Sequence, residues 1–249
     1  MKMPVPDMPI IEKKELEGGL IIEEMKIGTG YEVKPGDAVV AYYHGTLKDG
    51  GTEFDSAFRR GEPIPFSLNE VVQGWAKGVP GMKVGGIRKL TIPYALGYGE
   101  MGSAPKIPGK ADLVFVIQLE DAVHWTDTTP GTGEEVWGRC VAVTKQDVTP
   151  AGGTKVEGKE PYIWLPGETQ FSQRSDAMQL ALMGMKVGGK RTVHIPKQMN
   201  PPIPEVTGRP TDVTCDFDLE LLAVRNLMAK PAAAPTPPPV ATPVPTAKP

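Results

Sequence analysis

Gly81-Met-Lys-Val-Gly-Gly-Ile-Arg-Lys-Leu-Thr-Ile-Pro93 returns later in the chain as Gly184-Met-Lys-Val-Gly-Gly-Lys-Arg-Thr-Val-His-Ile-Pro196. Nine of the thirteen positions are identical, at an offset of 103. Gly28-Thr-Gly30 returns as Gly131-Thr-Gly133 at the same offset, and Asp112–Glu120 (DLVFVIQLE) lines up with Asp212–Glu220 (DVTCDFDLE) at an offset of 100. Chance rarely holds one offset across two separate segments, so the chain reads as a tandem duplication. The expected units are residues 18–123 and 126–228, followed by a tail over 229–249. A chain of 249 residues is long enough for two domains of that size.

Within the first copy, Gly36–Leu47 (GDAVVAYYHGTL), Ile87–Ile92 and Leu113–Leu119 are rich in β-branched and aromatic residues and read as strands. Between them, Val71, Val72, Trp75 and Ala76 recur at spacings of three and four behind Asn69, which predicts a short helix over 69–77. One short helix among several short strands predicts an α+β architecture, with an antiparallel sheet packed over the helix. The 29 glycines and 27 prolines fit a chain of many turns. The tail holds eight prolines among Ala, Val and Thr, with little to bury, and is expected to be disordered and partly polyproline II.

Several function classes fall away. A net charge of −3 gives no basic field for nucleic acid or for an anionic membrane surface. No apolar run approaches the ~18–20 residues that cross a bilayer. The start, MKMPVPDMPIIEKKELEGG, has prolines and charges where a secretory signal has its apolar core, so the chain reads as cytoplasmic, although an exported chain stripped of its signal reads the same way. Cys140 and Cys215 sit in strand-like runs and are expected as buried thiols. His44, His124 and His194 show no ligand spacing, so no metal is expected. The Gly-Thr-Gly triplets lack the lysine and following helix of a phosphate loop, and no nucleophile elbow occurs, so no cofactor is expected either.

The order Tyr43-His-Gly-Thr-Leu, Glu53-Phe-Asp-Ser, Val71-Val-Gln-Gly-Trp75, Gly81-Met-Lys-Val-Gly-Gly, Ile92-Pro, Tyr98-Gly and Leu113-Val-Phe115 resembles the FKBP family of peptidyl-prolyl cis/trans isomerases. The resemblance covers the first copy. It implies an FKBP-like fold, proline-containing client polypeptides as substrates, and macrolides such as rapamycin as inhibitors. It also implies a pocket floored by Trp75 and walled by Tyr43, Phe54, Val71, Phe115, Ile64 and Ile107. The Val72 N–H and the Tyr98 hydroxyl are implied to bind substrate carbonyls, with Asp55 at the rim bonded to Tyr43 and Arg60 orienting Asp55. Lys106 and Ser103-Ala-Pro depart from the family's flap, and Ile64 is smaller than the aromatic often found there. In the second copy Tyr43 is set against Lys145, Trp75 against Met178 and Phe115 against Cys215. Nothing in Phe171-Ser-Gln-Arg-Ser matches Phe54-Asp55, and no Tyr-Gly follows Ile195-Pro196. That copy is expected to be catalytically silent. The competing expectation is a non-catalytic proline-binding or chaperone module.

Overall fold

Every strand pairing is antiparallel among residues 2–136, 140–158, 161–164, 177–199 and 213–227, the residues described in this computed structural model. The tail, the Phe171 segment and most of the stretch after Pro196 lie outside the described residues. In chain order the first sheet uses β1 (Glu12–Leu16), β2 (Leu20–Lys26), β3 (Ala38–Leu47), β4 (Glu53–Ser56), β5 (Ile64–Ser67), β6 (Ile87–Ile92) and β7 (Leu113–Ala122), with α1 (Ala57–Arg60) and α2 (Gln73–Gly78). Its order is β1-β2-β6-β7-β3-β4, and β5 also pairs with β3. The second sheet uses β8 (His124–Thr129), β9 (Cys140–Pro150), β10 (Tyr162–Trp164), β11 (Lys190–Ile195) and β12 (Cys215–Asn226), with α3 (Ala177–Leu182), in the order β10-β9-β12-β11-β8. The antiparallel sheets and few short helices agree with the expected α+β class. β1 lies before residue 18 and β8 begins before residue 126, so each sheet starts earlier than the sequence boundaries.

The helix expected over 69–77 begins only at Gln73. Val72 is extended (φ −56°, ψ 148°), and the Asn69 amide donates to the Gly36 carbonyl at 3.3 Å instead of capping. Gly74 then lets α2 lie directly on the sheet: a Cβ there would stand 2.4 Å from Ile92 on β6. The helix buries Trp75 on the core beneath it.

Residues Ala38 to Tyr43 of β3 are buried without alternation. Val39, Ala41 and Tyr43 belong to the first core with Leu20, Leu90 and Ile117. Ala38 and Val40 face the other way, into a second core with Val123, Val193, Phe217 and Leu219. A strand covered on both faces loses its polar positions, which is why this run reads as continuously apolar. Each such valine contributes roughly 1.5–3 kcal/mol by leaving water. The connection between the sheets is therefore packed. His124 stacks on Tyr31 of the first unit at 4.4 Å and on His194 of β11 at 4.7 Å between ring centroids.

The pairings of the second sheet follow those of the first. Glu24↔Arg88 and Lys26↔Ile87, with an irregularity between them, are matched by Asp127↔Arg191 and Thr129↔Lys190. Ala41↔Leu119 and Tyr43↔Ile117 are matched by Thr144↔Leu221 and Gln146↔Leu219. The offset of 103 thus holds on β8, β9 and β11, but it is 102 on β12, which corrects the value of 100. Two correspondences change with it. The position of Tyr43 belongs to Gln146, not Lys145, which is exposed. The position of Phe115 belongs to the buried Phe217, not to Cys215. DLVFVIQLE and DVTCDFDLE share end residues, Asp and Leu-Glu, and that chance match hid the two-residue slip. Cys140 and Cys215 are both buried and form no disulfide.

Candidate functional site

Ser56 ends β4 and caps α1, its hydroxyl accepting from the Arg59 N–H at 3.3 Å, and Gly61 closes the helix in the left-handed region at φ 80°. This single turn places Arg60 beside the residues that precede it. Arg60 donates through one nitrogen to Asp55 and through the other to the Tyr43 hydroxyl at 2.8 Å. The Tyr43 hydroxyl in turn donates to the Asp55 carboxylate. Burial opposes the charged form of Asp55, but the bonds from Arg60 and Tyr43 outweigh it and hold the carboxyl below the usual carboxylate range. Burial first, and then the bond to Asp55, push the Tyr43 phenol up to about 12. Asp55 is ionised and Tyr43 is a neutral donor at neutral pH.

Above this triad opens a cavity of about 470 Å³. Tyr43, Phe54, Asp55, Val71, Val72, Trp75, Tyr98, Ile107 and Phe115 all line it. Trp75 is 4% exposed, with Phe115 edge-on at 5.4 Å and 88° and Tyr43 at 5.8 Å and 85°. Such edge-to-face rings give a rigid, dry floor. Gly45 makes the cluster possible, because a Cβ there would stand 2.6 Å from the Phe54 ring and 2.9 Å from that of Phe115. The Val72 carbonyl accepts from Trp75 and Ala76, whereas its N–H has no hydrogen-bond partner among the described residues.

One expected residue is placed otherwise. Ile64 is half-buried against the core and does not line the cavity; Phe66, two residues along the same strand face, does, with its ring 5.1 Å from Trp75. The alternation of β5 points both side chains the same way, and only the aromatic is at the cavity end. Arg60 stands behind Asp55 and pairs with it, as an orienting residue does, without lining the cavity itself. Sequence reasoning also passed over Glu70 as a lining residue.

The flap over the cavity is an ordered loop. Gly102 donates to Tyr98 at 3.1 Å, Lys110 to Gly99 at 3.0 Å, and Ser103 and Ile107 exchange backbone bonds of 2.8 and 2.9 Å. Tyr98 is 40% exposed at its base, its phenol pushed up by burial and then by Asp55. Lys106 reaches from the flap to the Phe54 carbonyl at 2.8 Å. Among the described residues no group of His, Cys, Asp and Glu is placed to hold a metal, and no helix is long and apolar enough to cross a membrane.

Residues 30–120 match the sequence model of the FKBP-type peptidyl-prolyl cis-trans isomerases. A probable FK506-binding protein of Corynebacterium glutamicum is 41% identical over 122 residues, 49% of this chain and 100% of that protein. An FK506-binding protein of Neisseria meningitidis serogroup B is 44% identical over 104 residues, 41% of this chain and 94% of that protein. The 46 kDa FK506-binding nuclear protein of Spodoptera frugiperda is 44% identical over 112 residues, but this chain spans only 27% of its length. The antiparallel fold and the aromatic-floored cavity are in keeping with that match. The chain belongs to the FKBP-type peptidyl-prolyl cis-trans isomerases.

Proposed function

We propose that the first unit accelerates rotation about X–Pro bonds of client polypeptides in the cavity floored by Trp75. The observation that carries this reading is the unpartnered Val72 N–H beside a rigid aromatic floor. An X–Pro amide must pass a barrier of ~18–20 kcal/mol, and its twisted state has lost resonance. No bond breaks, so neither a nucleophile nor a metal is required. A twisted amide is less polar than a planar one, so a desolvated aromatic pocket favours it over the ground state. The Val72 N–H holds one flanking carbonyl and the Tyr98 hydroxyl another. Each ~1.4 kcal/mol of preference for the twisted state gives about tenfold in rate.

Tyr43, Phe54, Val71, Ile107 and Phe115 shape the wall, and Asp55, fixed by Tyr43 and Arg60, forms a polar rim. Macrolides of the FK506 and rapamycin type occupy the same cavity in this reading.

The second unit is proposed to be a degenerate copy without turnover. Met178 stands at the place of Trp75, Gln146 at that of Tyr43, and Val148 at that of Gly45. Gly45 pairs with Asp55, whereas Val148 pairs with Val156, so the rim carboxylate is replaced as well.

The test is cis/trans exchange of a Leu-Pro peptide followed by NMR, with and without excess rapamycin. Acceleration that the drug abolishes, and that Trp75→Leu loses, is expected. Binding without acceleration would instead favour a proline-binding module.

A further inference from the structure

Among the described residues, Lys106 on the flap has no acidic partner. Lys110, four residues on, pairs with Glu100 at 3.0 Å, and Lys48 with Asp112 at 3.1 Å. Lys106 lines the cavity, and among the described residues its ammonium has no carboxylate within ion-pair distance. It donates instead to the neutral Phe54 carbonyl at 2.8 Å. The backbone bonds between Ser103 and Ile107 fix the loop that carries it, so the charge is held at the mouth in advance. The nearby Asp55 does not neutralise it, because that carboxylate is already taken by Arg60 and Tyr43. Next to Val71 and Val72 in the chain, Glu70 also lines the cavity and likewise makes no ion pair among the described residues. The mouth is therefore polarised, positive at the flap and negative at the start of α2.

In the proposed isomerase reading, a bound peptide sets its proline ring on Trp75 and runs from the Val72 N–H to the flap. The prolyl carbonyl keeps its place while the preceding bond turns, which suits a fixed backbone donor such as Val72 N–H. The carbonyl that turns suits a hydroxyl on the flap. The residue preceding the proline then lies on the flap side, beside Lys106.

Resting on the isomerase reading of this pocket, we propose that Lys106 is a specificity-determining residue that makes the enzyme favour an acidic residue immediately before the proline. The carboxylate of a Glu-Pro segment takes the ammonium protons that the Phe54 carbonyl leaves unused, and a Lys-Pro segment meets the same ammonium as a like charge. Both effects act at a partly solvated site, so attraction in one peptide and repulsion in the other combine to a ratio of roughly five- to tenfold between Glu-Pro and Lys-Pro.

The test measures kcat/KM by NMR exchange, and Kd by shift titration, for peptides that differ only in Glu, Leu or Lys before the proline. The wild-type chain is compared with Lys106→Met and Lys106→Glu. The expected result is a Glu-Pro over Lys-Pro ratio well above one that shrinks at high salt, falls to about one in Lys106→Met, and inverts in Lys106→Glu. A wild-type ratio near one, or a ratio that survives Lys106→Met unchanged, overturns the inference. Leu-Pro serves as the reference for the pocket itself. If no peptide is turned over, the isomerase reading fails, and the ratio of dissociation constants still decides the role of Lys106. The thermal midpoint of each variant shows whether it is folded.

Discussion

His194 stacks on His124, its partner on the neighbouring strand β8, and its ring nitrogens face Asp216 at 2.7 Å and, across the junction of the two sheets, Asp121 at 3.4 Å. On the far side of His124 lies Tyr31, whose hydroxyl donates to Asp37 at 3.0 Å. Tyr31 of the first unit and two residues on neighbouring strands of the second sheet thus form a single column of rings. The bond to Asp121, joined by that to Asp216, outweighs burial and raises the His194 pKa.

A raised histidine pKa means that the protonated ring stabilises the folded state. That contribution is complete below the unfolded value of about 6.5 and is lost as pH rises through the higher folded value. Asp121→Asn should lower the His194 midpoint in an NMR titration of the imidazoles. It should also cost stability at pH 5.5 and progressively less above neutrality, as the ring loses its charge. An unchanged midpoint would show that Asp121 does not hold the ring.

Gly45→Ala should damage the cavity without straining the backbone. The new methyl meets the Phe54 and Phe115 rings inside van der Waals contact, and overpacking of this kind costs about 1–3 kcal/mol. Loss of Leu-Pro exchange should exceed what the drop in thermal midpoint explains, because those rings form the wall. Full activity in the variant would mean that the rings move aside at little cost.

Much of this was legible in the chain. The Met-Lys-Val-Gly-Gly repeat falls once in each sheet, just ahead of β6 and β11, and the aromatics Tyr43, Phe54, Trp75 and Phe115, large groups at fixed places in short elements, line one cavity. The helix start was misjudged because Val71 and Val72 fit a helical stripe while lying in extended chain. Phe66 was missed because alternation along β5 gives Ile64 the same facing, and only the turn that follows decides which reaches the cavity. The junction was hidden because stacking of Tyr31 on His124 depends on tertiary placement, although the unalternating AVVAYY run of β3 carried its signature.

Two buried arginines at equivalent places should differ in worth. Arg88 donates to the carbonyls of Gly78 and Pro80 and pairs with Glu24, with side chains 3% and 14% exposed. Arg191 donates to Ala181 and Met183 and pairs with Asp127, but that carboxylate is 57% exposed. Removing Arg88 strands a largely buried acid, a loss of up to about 3–5 kcal/mol, whereas removing Arg191 leaves chiefly unmet carbonyls, about 1–3 kcal/mol. Urea unfolding of Arg88→Leu and Arg191→Leu should rank them in that order. Equal losses would indicate that the carbonyl bonds dominate at both sites.

Gln146 takes the place of Tyr43 in the second sheet without its partner. In the first unit the tyrosine hydroxyl reaches Asp55, which stands opposite Gly45; in the second, the residue opposite Val148 is Val156. Gln146 is 1% exposed, and among the described residues neither its amide nitrogen nor its oxygen has a hydrogen-bond partner. A buried polar group left unmet costs about 1–3 kcal/mol, and an apolar side chain of similar size carries no such penalty. Gln146→Leu should therefore raise the stability of the second unit by about that amount. Gln146→Ala should gain less, because it leaves a cavity where leucine fills the space. Urea midpoints of the two variants separate the effects. If Gln146→Leu is the less stable chain, the amide has a partner in solution and the second unit keeps a polar contact of its own at the place of Tyr43.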